Sequence, residues 1–170
     1  SARHLCESVD FQGVLSDAVS LGIRENALML VSQILKTKGD LVFTASPAET
    51  VGAICALLYS RKVGAMVVMD GDRVVGIVSE RDMVRAFAEE GAAALTKPIS
   101  SCMTHDVIFA EPSETIDSLL SRMTDRRIRH LPVCQNERLV GIVSIGDLVK
   151  WKIDEVETEA HGLKAYIAAG

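Results

Sequence analysis

No apolar run in this chain of 170 residues approaches the roughly 20 that a membrane-spanning helix needs. The opening residues, Ser1-Ala-Arg-His-Leu-Cys6, carry no apolar stretch of the secretory kind. The sequence therefore predicts a cytoplasmic protein without a membrane partner. Positive charge is not in excess: a net charge of −5 argues against a general nucleic-acid binder. It leaves room for a local basic pocket, for which Arg126, Arg127, Arg129 and His130 are the candidates. The four cysteines, Cys6, Cys55, Cys102 and Cys134, lack metal-type spacing, and in a cell's interior they stay reduced. Cys102 with His105 makes only half a zinc site, and no second pair completes it, so no metal is expected. Missing too is any Ser/Cys–His arrangement or acid–base pair that would announce catalysis, so no enzyme is expected.

What the chain does contain is a repeat. Val75-Gly-Ile-Val-Ser-Glu-Arg-Asp-Met-Val84 returns as Val140-Gly-Ile-Val-Ser-Ile-Gly-Asp-Leu-Val149, 65 residues on. At that offset Val42 meets Val107, Pro47 meets Pro112, Glu49-Thr50 meets Glu114-Thr115 and Arg73 meets Arg138. Such duplication marks one supersecondary unit used twice. At this length, with 48% hydrophobic residues, two units of about 60 residues suit one compact module better than two independent domains.

Each unit reads β-α-β-β-α. A helix is expected from Ala27, with Leu28, Val31 and Leu35 at helical spacing, broken by Lys36-Thr-Lys-Gly-Asp40. Residues 41–44 read as a short strand. Ser46-Pro-Ala-Glu49 then has the marks of a helix start: an N-cap Ser, a Pro in the first turn and a Glu closing a capping box. Val51, Ile54, Leu57 and Leu58 give that helix its apolar stripe. Residues 65–69 read as a buried strand, Asp70-Gly-Asp72 as a hairpin turn and 73–78 as the returning strand. Ser79 is placed to cap a helix that ends at Gly91. The second unit repeats the order, with a strand over 107–109 and a helix opened by Glu111-Pro-Ser-Glu114. A strand over 131–133, a turn at Gln135-Asn-Glu137 and a last strand over 139–143 complete it. The boundaries fall at 27–95 and 96–152, with extensions over 1–26 and 153–170.

The last helix breaks the symmetry, having no breaker before Gly162. It is expected to run to about Ile167. Along it Val149, Ile153, Val156, Ala160, Leu163 and Ile167 alternate spacings of four and three, a heptad seam that predicts a homodimer.

Both copies keep one polar pair inside an apolar frame: Ser79 with Asp82, and Ser144 with Asp147. A strand ending in Ser at a helix start presents free N–H groups and the positive end of the helix dipole, a natural seat for phosphate. An Asp in the first turn can accept hydrogen bonds from a ribose diol. The same S-x-x-D pattern can equally be a capping box and nothing more. The residues alone leave both readings open.

Pro47-Ala-Glu-Thr50, Pro112-Ser-Glu-Thr115, Met103-Thr104, His130-Leu-Pro-Val133 and the two G-I-V-S-x-x-D stretches resemble the CBS domain, the cystathionine β-synthase repeat. The pair resembles a CBS tandem, or Bateman module, of the stand-alone bacterial type, over about Leu35 to Lys152. The resemblance implies an α+β, sandwich-like fold of two pseudo-symmetric units packed sheet to sheet, here with a long C-terminal helix. It also implies a regulatory module with no catalytic cofactor, acting on an unknown effector protein. Its ligand would be AMP, ADP, ATP, NAD(H) or S-adenosylmethionine, held in clefts between the repeats. Carried over residue by residue, one cleft would use Ile142, Ser144, Asp147, Arg129 and His130, faced by Thr37, Asp40, Val63, Gly64 and Ala65. The other would use Ile77, Ser79, Arg81 and Asp82 against Met103, Thr104, Asp106, Ile128 and Arg129. Gly64-Ala65 would let a flat base approach, and Arg129-His130 could meet a phosphate, so the Asp147 cleft is expected to be the tighter. The rivals are a structural dimerisation module with empty clefts and a regulatory part related to IMP dehydrogenase.

Overall fold

The computed structural model describes residues 29–39 and 41–169. The extension over 1–26 and the candidate Asp40 lie outside the described residues; the helix expected from Ala27 begins only at Val31, after an extended Leu30 cap. Helix α1 spans Val31–Lys38 and is followed by β1 (Thr44–Ala45), α2 (Val51–Arg61), β2 (Ala65–Asp70), β3 (Arg73–Ser79) and α3 (Glu80–Glu90). Two 3-10 turns, Gly91–Thr96 and Ile99–Ser101, lead to α4 (Ile116–Arg126), β4 (His130–Gln135), β5 (Arg138–Ser144) and α5 (Ile145–Ala169). The first sheet runs β1-β2-β3, with β1 parallel and β3 antiparallel to β2; the second is the β4-β5 hairpin. The duplication reaches fine detail. Both hairpins slip register at the same place, between Val68 and Met69 and between Val133 and Cys134. Both α2 and α4 end on a left-handed residue, Lys62 and Arg127, each at φ 54°.

Helix α1 persists through Lys36 to Lys38, where a break was expected, and the strand expected over 41–44 forms only at Thr44–Ala45. Two further expectations fail for identifiable reasons. The strand over 107–109 does not form; only Ala110 bridges Val133. In the first unit the Val67 N–H carries the ladder on to the Phe43 carbonyl (3.3 Å). Pro132 stands at the matching place and has no N–H to give, so the second ladder stops. The helix starts are also later than Ser46 and Glu111. The carboxylates of Glu49 and Glu114 do turn back onto the backbone N–H of Ser46 (2.6 Å) and Glu111 (2.8 Å), but they close turns ahead of the helices. The caps are Thr50 and Thr115, whose hydroxyls accept from Ala53 (3.3 Å) and Ser118 (3.2 Å). The carbonyl before each cap is hydrogen-bonded elsewhere. Ile99 N–H donates to the Glu49 carbonyl (2.8 Å), and Val31 N–H donates to the Glu114 carbonyl (2.9 Å).

Those bonds reveal an exchange. Val31 and Ile34, at the head of the first unit by sequence, are buried in the second core with Leu119, Met123, Leu131, Val143 and Leu148. Ile99 and Met103, at the head of the second unit by sequence, are buried in the first core with Val51, Ile54, Met66 and Val78. Each leading segment thus closes the other unit. This explains the repeated glycine of the G-I-V-S stretch. A Cβ on Gly76 would stand 2.5 Å from the Met103 sulfur, and one on Gly141 would stand 2.5 Å from a Leu35 methyl. The glycines are grooves that admit the exchanged side chains.

The C-terminal helix α5 continues through Gly162 for 25 residues. Among the described residues no helix is long and apolar enough to cross a membrane.

Candidate functional site

The two S-x-x-D pairs sit where β3 meets α3 and where β5 meets α5, and in both the carboxylate turns back onto the serine. Asp82 Oδ2 accepts from the Ser79 N–H (2.8 Å) and hydroxyl (2.7 Å). Asp147 Oδ2 accepts from the Ser144 N–H and hydroxyl, both at 2.8 Å. Each carboxylate also holds one cation, but from different sources. Arg85, one turn along α3, donates to Asp82 Oδ1 at 2.9 Å and to the Cys102 carbonyl at 2.8 Å. Lys38, the last residue of α1, donates to Asp147 Oδ2 at 2.6 Å and to the Ile142 carbonyl at 3.2 Å. The capping reading is therefore met in both copies. What separates them is the surroundings.

Asp82 is buried, 5% exposed, in the wall of a cleft of about 330 Å³ between the units. That cleft gathers Ile77, Ser79, Arg81, Asp82, Thr104, Asp106, Ile128 and Arg129, and adds Arg85, Arg126, Arg127 and His130. Ala65, expected in the other cleft, lines this one. Met103 does not reach it, being packed on Gly76 instead. Arg81 leans across to donate to the Arg127 carbonyl (3.2 Å).

On the other side, Val63, Gly64, Arg129, His130 and Ser144 border a wider opening of about 680 Å³. Asp147 and Ile142 are not in its wall; their acceptors are taken by Lys38. Thr37 donates its hydroxyl to the Gln33 carbonyl (3.2 Å), within its own helix. The space beside Gly64 is also spoken for: a Cβ there would come within 3.0 Å of the His130 ring. Gly64 makes room for an imidazole rather than for a base.

The electrostatics follow from this packing. Burial of Asp147 by itself raises its pKa, but hydrogen bonds from Lys38 and Ser144 outweigh it, and the carboxyl ends below its ordinary value. Its contribution to stability is complete above the ordinary Asp value and fades as pH falls toward the depressed one. Burial, then the charges of Arg129 and Lys38, push His130 below the usual histidine value of 6.5. The neutral imidazole is thereby favoured at pH 7. Because the unfolded chain binds that proton more readily, His130 takes stability away as pH drops below about 6.5. In an NMR titration the His130 ring should show its midpoint below 6.5; a midpoint at or above 6.5 would contradict the packing described. Burial also raises the thiol pKa values of the half-buried Cys55, Cys102 and Cys134.

The chain matches the CBS domain family twice, over residues 31–89 and 99–154. It belongs to that family. Both matches include the exchanged leading segments, so the CBS repeat as a sequence unit is not the unit that shares a core. The solved CBS-domain containing protein ATU1752 from Agrobacterium tumefaciens superposes with a TM-score of 0.72 at 42% identity, over 73% of this chain and 99% of that one. The CBS domain pair of protein MJ0100, solved with 5′-methylthioadenosine and S-adenosyl-L-methionine, gives 0.67 at 25% identity, over 75% and 98%. The mitochondrial CBS domain-containing protein CBSX3 of Arabidopsis thaliana is 30% identical over 149 residues, which are 82% of this chain and 72% of that protein. The tandem α+β architecture expected from the sequence is the one observed.

Two site residues escaped the sequence reading. Arg85 was within reach of it, since a cation three residues after Asp82 falls on the same helical face. Lys38 was not, because its partner lies 109 residues away on the other unit.

Proposed function

We propose that this CBS pair is a non-catalytic sensor that binds an adenine nucleotide in the Asp82 cleft and works as a homodimer. One observation carries the reading: a carboxylate and a helix N-terminus, with Arg81 beside them, face Arg126, Arg127 and Arg129 across a cleft of about 330 Å³. That volume lies at the lower end of the roughly 300–1,000 Å³ usual for small-ligand sites. Asp82 suits the ribose, although three donors already occupy most of its roughly four acceptor positions. The Ser79 hydroxyl can rotate away to free one. Ile77 and Ile128 flank the base, and the arginines take phosphate. The adenosine class is supported by the complex of the MJ0100 pair. The arginines favour AMP, ADP, ATP or NAD(H) over S-adenosylmethionine, whose sulfonium would meet like charge.

Calorimetry with AMP, ATP, NADH and S-adenosylmethionine, followed by chromatography of the mixture, tests this directly. One phosphate-bearing nucleotide should bind stoichiometrically and be recovered unchanged. Failure of all four to bind would favour empty clefts, repeated turnover would make the protein an enzyme, and preference for S-adenosylmethionine would remove the arginines' role.

The Asp147 cleft is the second site in this reading, weaker because Lys38 occupies its carboxylate. Replacing Lys38 with Met should strengthen uncharged adenosine at a second site severalfold. The lost ion pair, partly exposed, should cost no more than about 1 kcal/mol. An unchanged second-site affinity for adenosine would mean that Lys38 does not compete.

A further inference from the structure

Helix α5 leaves its own body part-way along. Leu148 is fully buried and Trp151 half-buried against the second core, whereas every residue from Glu157 to Lys164 is exposed. At 100° per residue the seam lies about a third of a turn round from the Leu148–Trp151 face, so the body does not use it. Its members are 43% (Val149), 52% (Ile153), 53% (Val156), 65% (Leu163) and 71% (Ile167) exposed, rising toward the free end. A stretch of this length is marginal as an isolated helix in water.

We infer that α5 pairs with α5 of a second copy of this chain as a short parallel coiled coil, in register. The inference rests on the homodimer reading and adds its orientation. The spacing puts Ile153, Ala160 and Ile167 at a positions and Val149, Val156 and Leu163 at d positions; β-branched residues at a suit two parallel strands. The flanking charges decide the direction. In parallel register Lys152 faces Glu157 of the second copy, and Glu159 faces its Lys164, opposite signs in both rungs. An antiparallel alignment covering the whole seam sets Glu157 against Glu157, Glu159 against Glu159 and Lys150 against Lys164. Lys152 is already held by Asp117 (3.0 Å) and Glu155 (2.7 Å), so the Glu159–Lys164 rung carries the choice more cleanly. The arrangement is two-fold and closed, and it leaves both CBS pairs at one end of the coil with both C-termini together at the other.

Sedimentation equilibrium and mild oxidation of Leu163→Cys separate the possibilities. In a parallel d layer two such thiols meet and cross-link, whereas Thr158→Cys, on the outer face, should not. Glu159→Lys should raise the dimer dissociation constant about tenfold at low salt, and Glu159→Lys/Lys164→Glu should restore it. A dimer in which Leu163→Cys fails to cross-link, or in which Glu159→Lys has no effect, overturns the parallel pairing and leaves the homodimer standing. A monomer at tens of micromolar removes the homodimer reading and this inference with it.

Discussion

Asp82→Asn is expected to weaken binding of AMP ten- to a hundredfold. A hydrogen bond from the ribose to a carboxylate is worth about 1.5–3 kcal/mol, and the amide keeps the shape while losing the charge. The fold should survive. The amide oxygen can still accept from the Ser79 N–H, and the weakened contact with the half-exposed Arg85 should cost about 1 kcal/mol. A 2′-deoxynucleotide separates binding from stability: it should lose affinity for the wild type but lose little further in the variant, since the same contact is already gone. Thermal shifts give an independent reading. Ligand at about 100 times its dissociation constant adds roughly 2.7 kcal/mol, so the wild type should gain several degrees where the variant gains few. If Asp82→Asn binds AMP, ATP and NADH as the wild type does, the ribose is not on Asp82.

Ile34→Ala should destabilise the fold by about 2–5 kcal/mol. By sequence Ile34 belongs to the first repeat; in the fold it is 1% exposed inside the second core, with Leu119, Leu131 and Val143. At about 2–4 °C per kcal/mol for a chain of this size, the melting point should fall by roughly 4–20 °C. Trp151, the one tryptophan, packs against that same core and reports on it. Its fluorescence transition should move together with the circular dichroism transition, because neither unit has a complete core without the other's leading segment. A melting point within a degree of wild type would mean that α1 does not close the second unit.

The parts of the fold that were legible are those in which local chemistry is sufficient. Ser79 and Gly91 bracket α3 as their capping roles require, and the Gly71 and Asn136 turns take positive φ (59° and 50°). Heptad spacing identified α5 beyond the body. What stayed hidden depends on contacts between distant segments. Nothing in Ser46-Pro-Ala-Glu49 announces that the following carbonyl and N–H will be spent on residues 97–99, so the helix start was read one turn early. Nothing near Gly64 announces that His130 will fill the gap beside it. At the site, the S-x-x-D pairs were readable, and so was most of the wall of the Asp82 cleft. The contrast between the two clefts was not, because it turns on a lysine at the far end of another helix.

The exchange of leading segments bears on ancestry. A half molecule carrying one repeat would own a segment that fits its neighbour's groove and lack the one that fits its own. It could fold that segment back, or trade it with a second half, and trading requires no new surface because the segments descend from one duplication. A single-repeat ancestor that traded would have been an obligate pair, assembled by collision. Fusing two copies into one chain replaces that encounter with an intramolecular closure at millimolar effective concentration. It also frees the copies to diverge. Lys38 on one side and Arg85 on the other, holding equivalent carboxylates from inequivalent places, are what such divergence leaves behind.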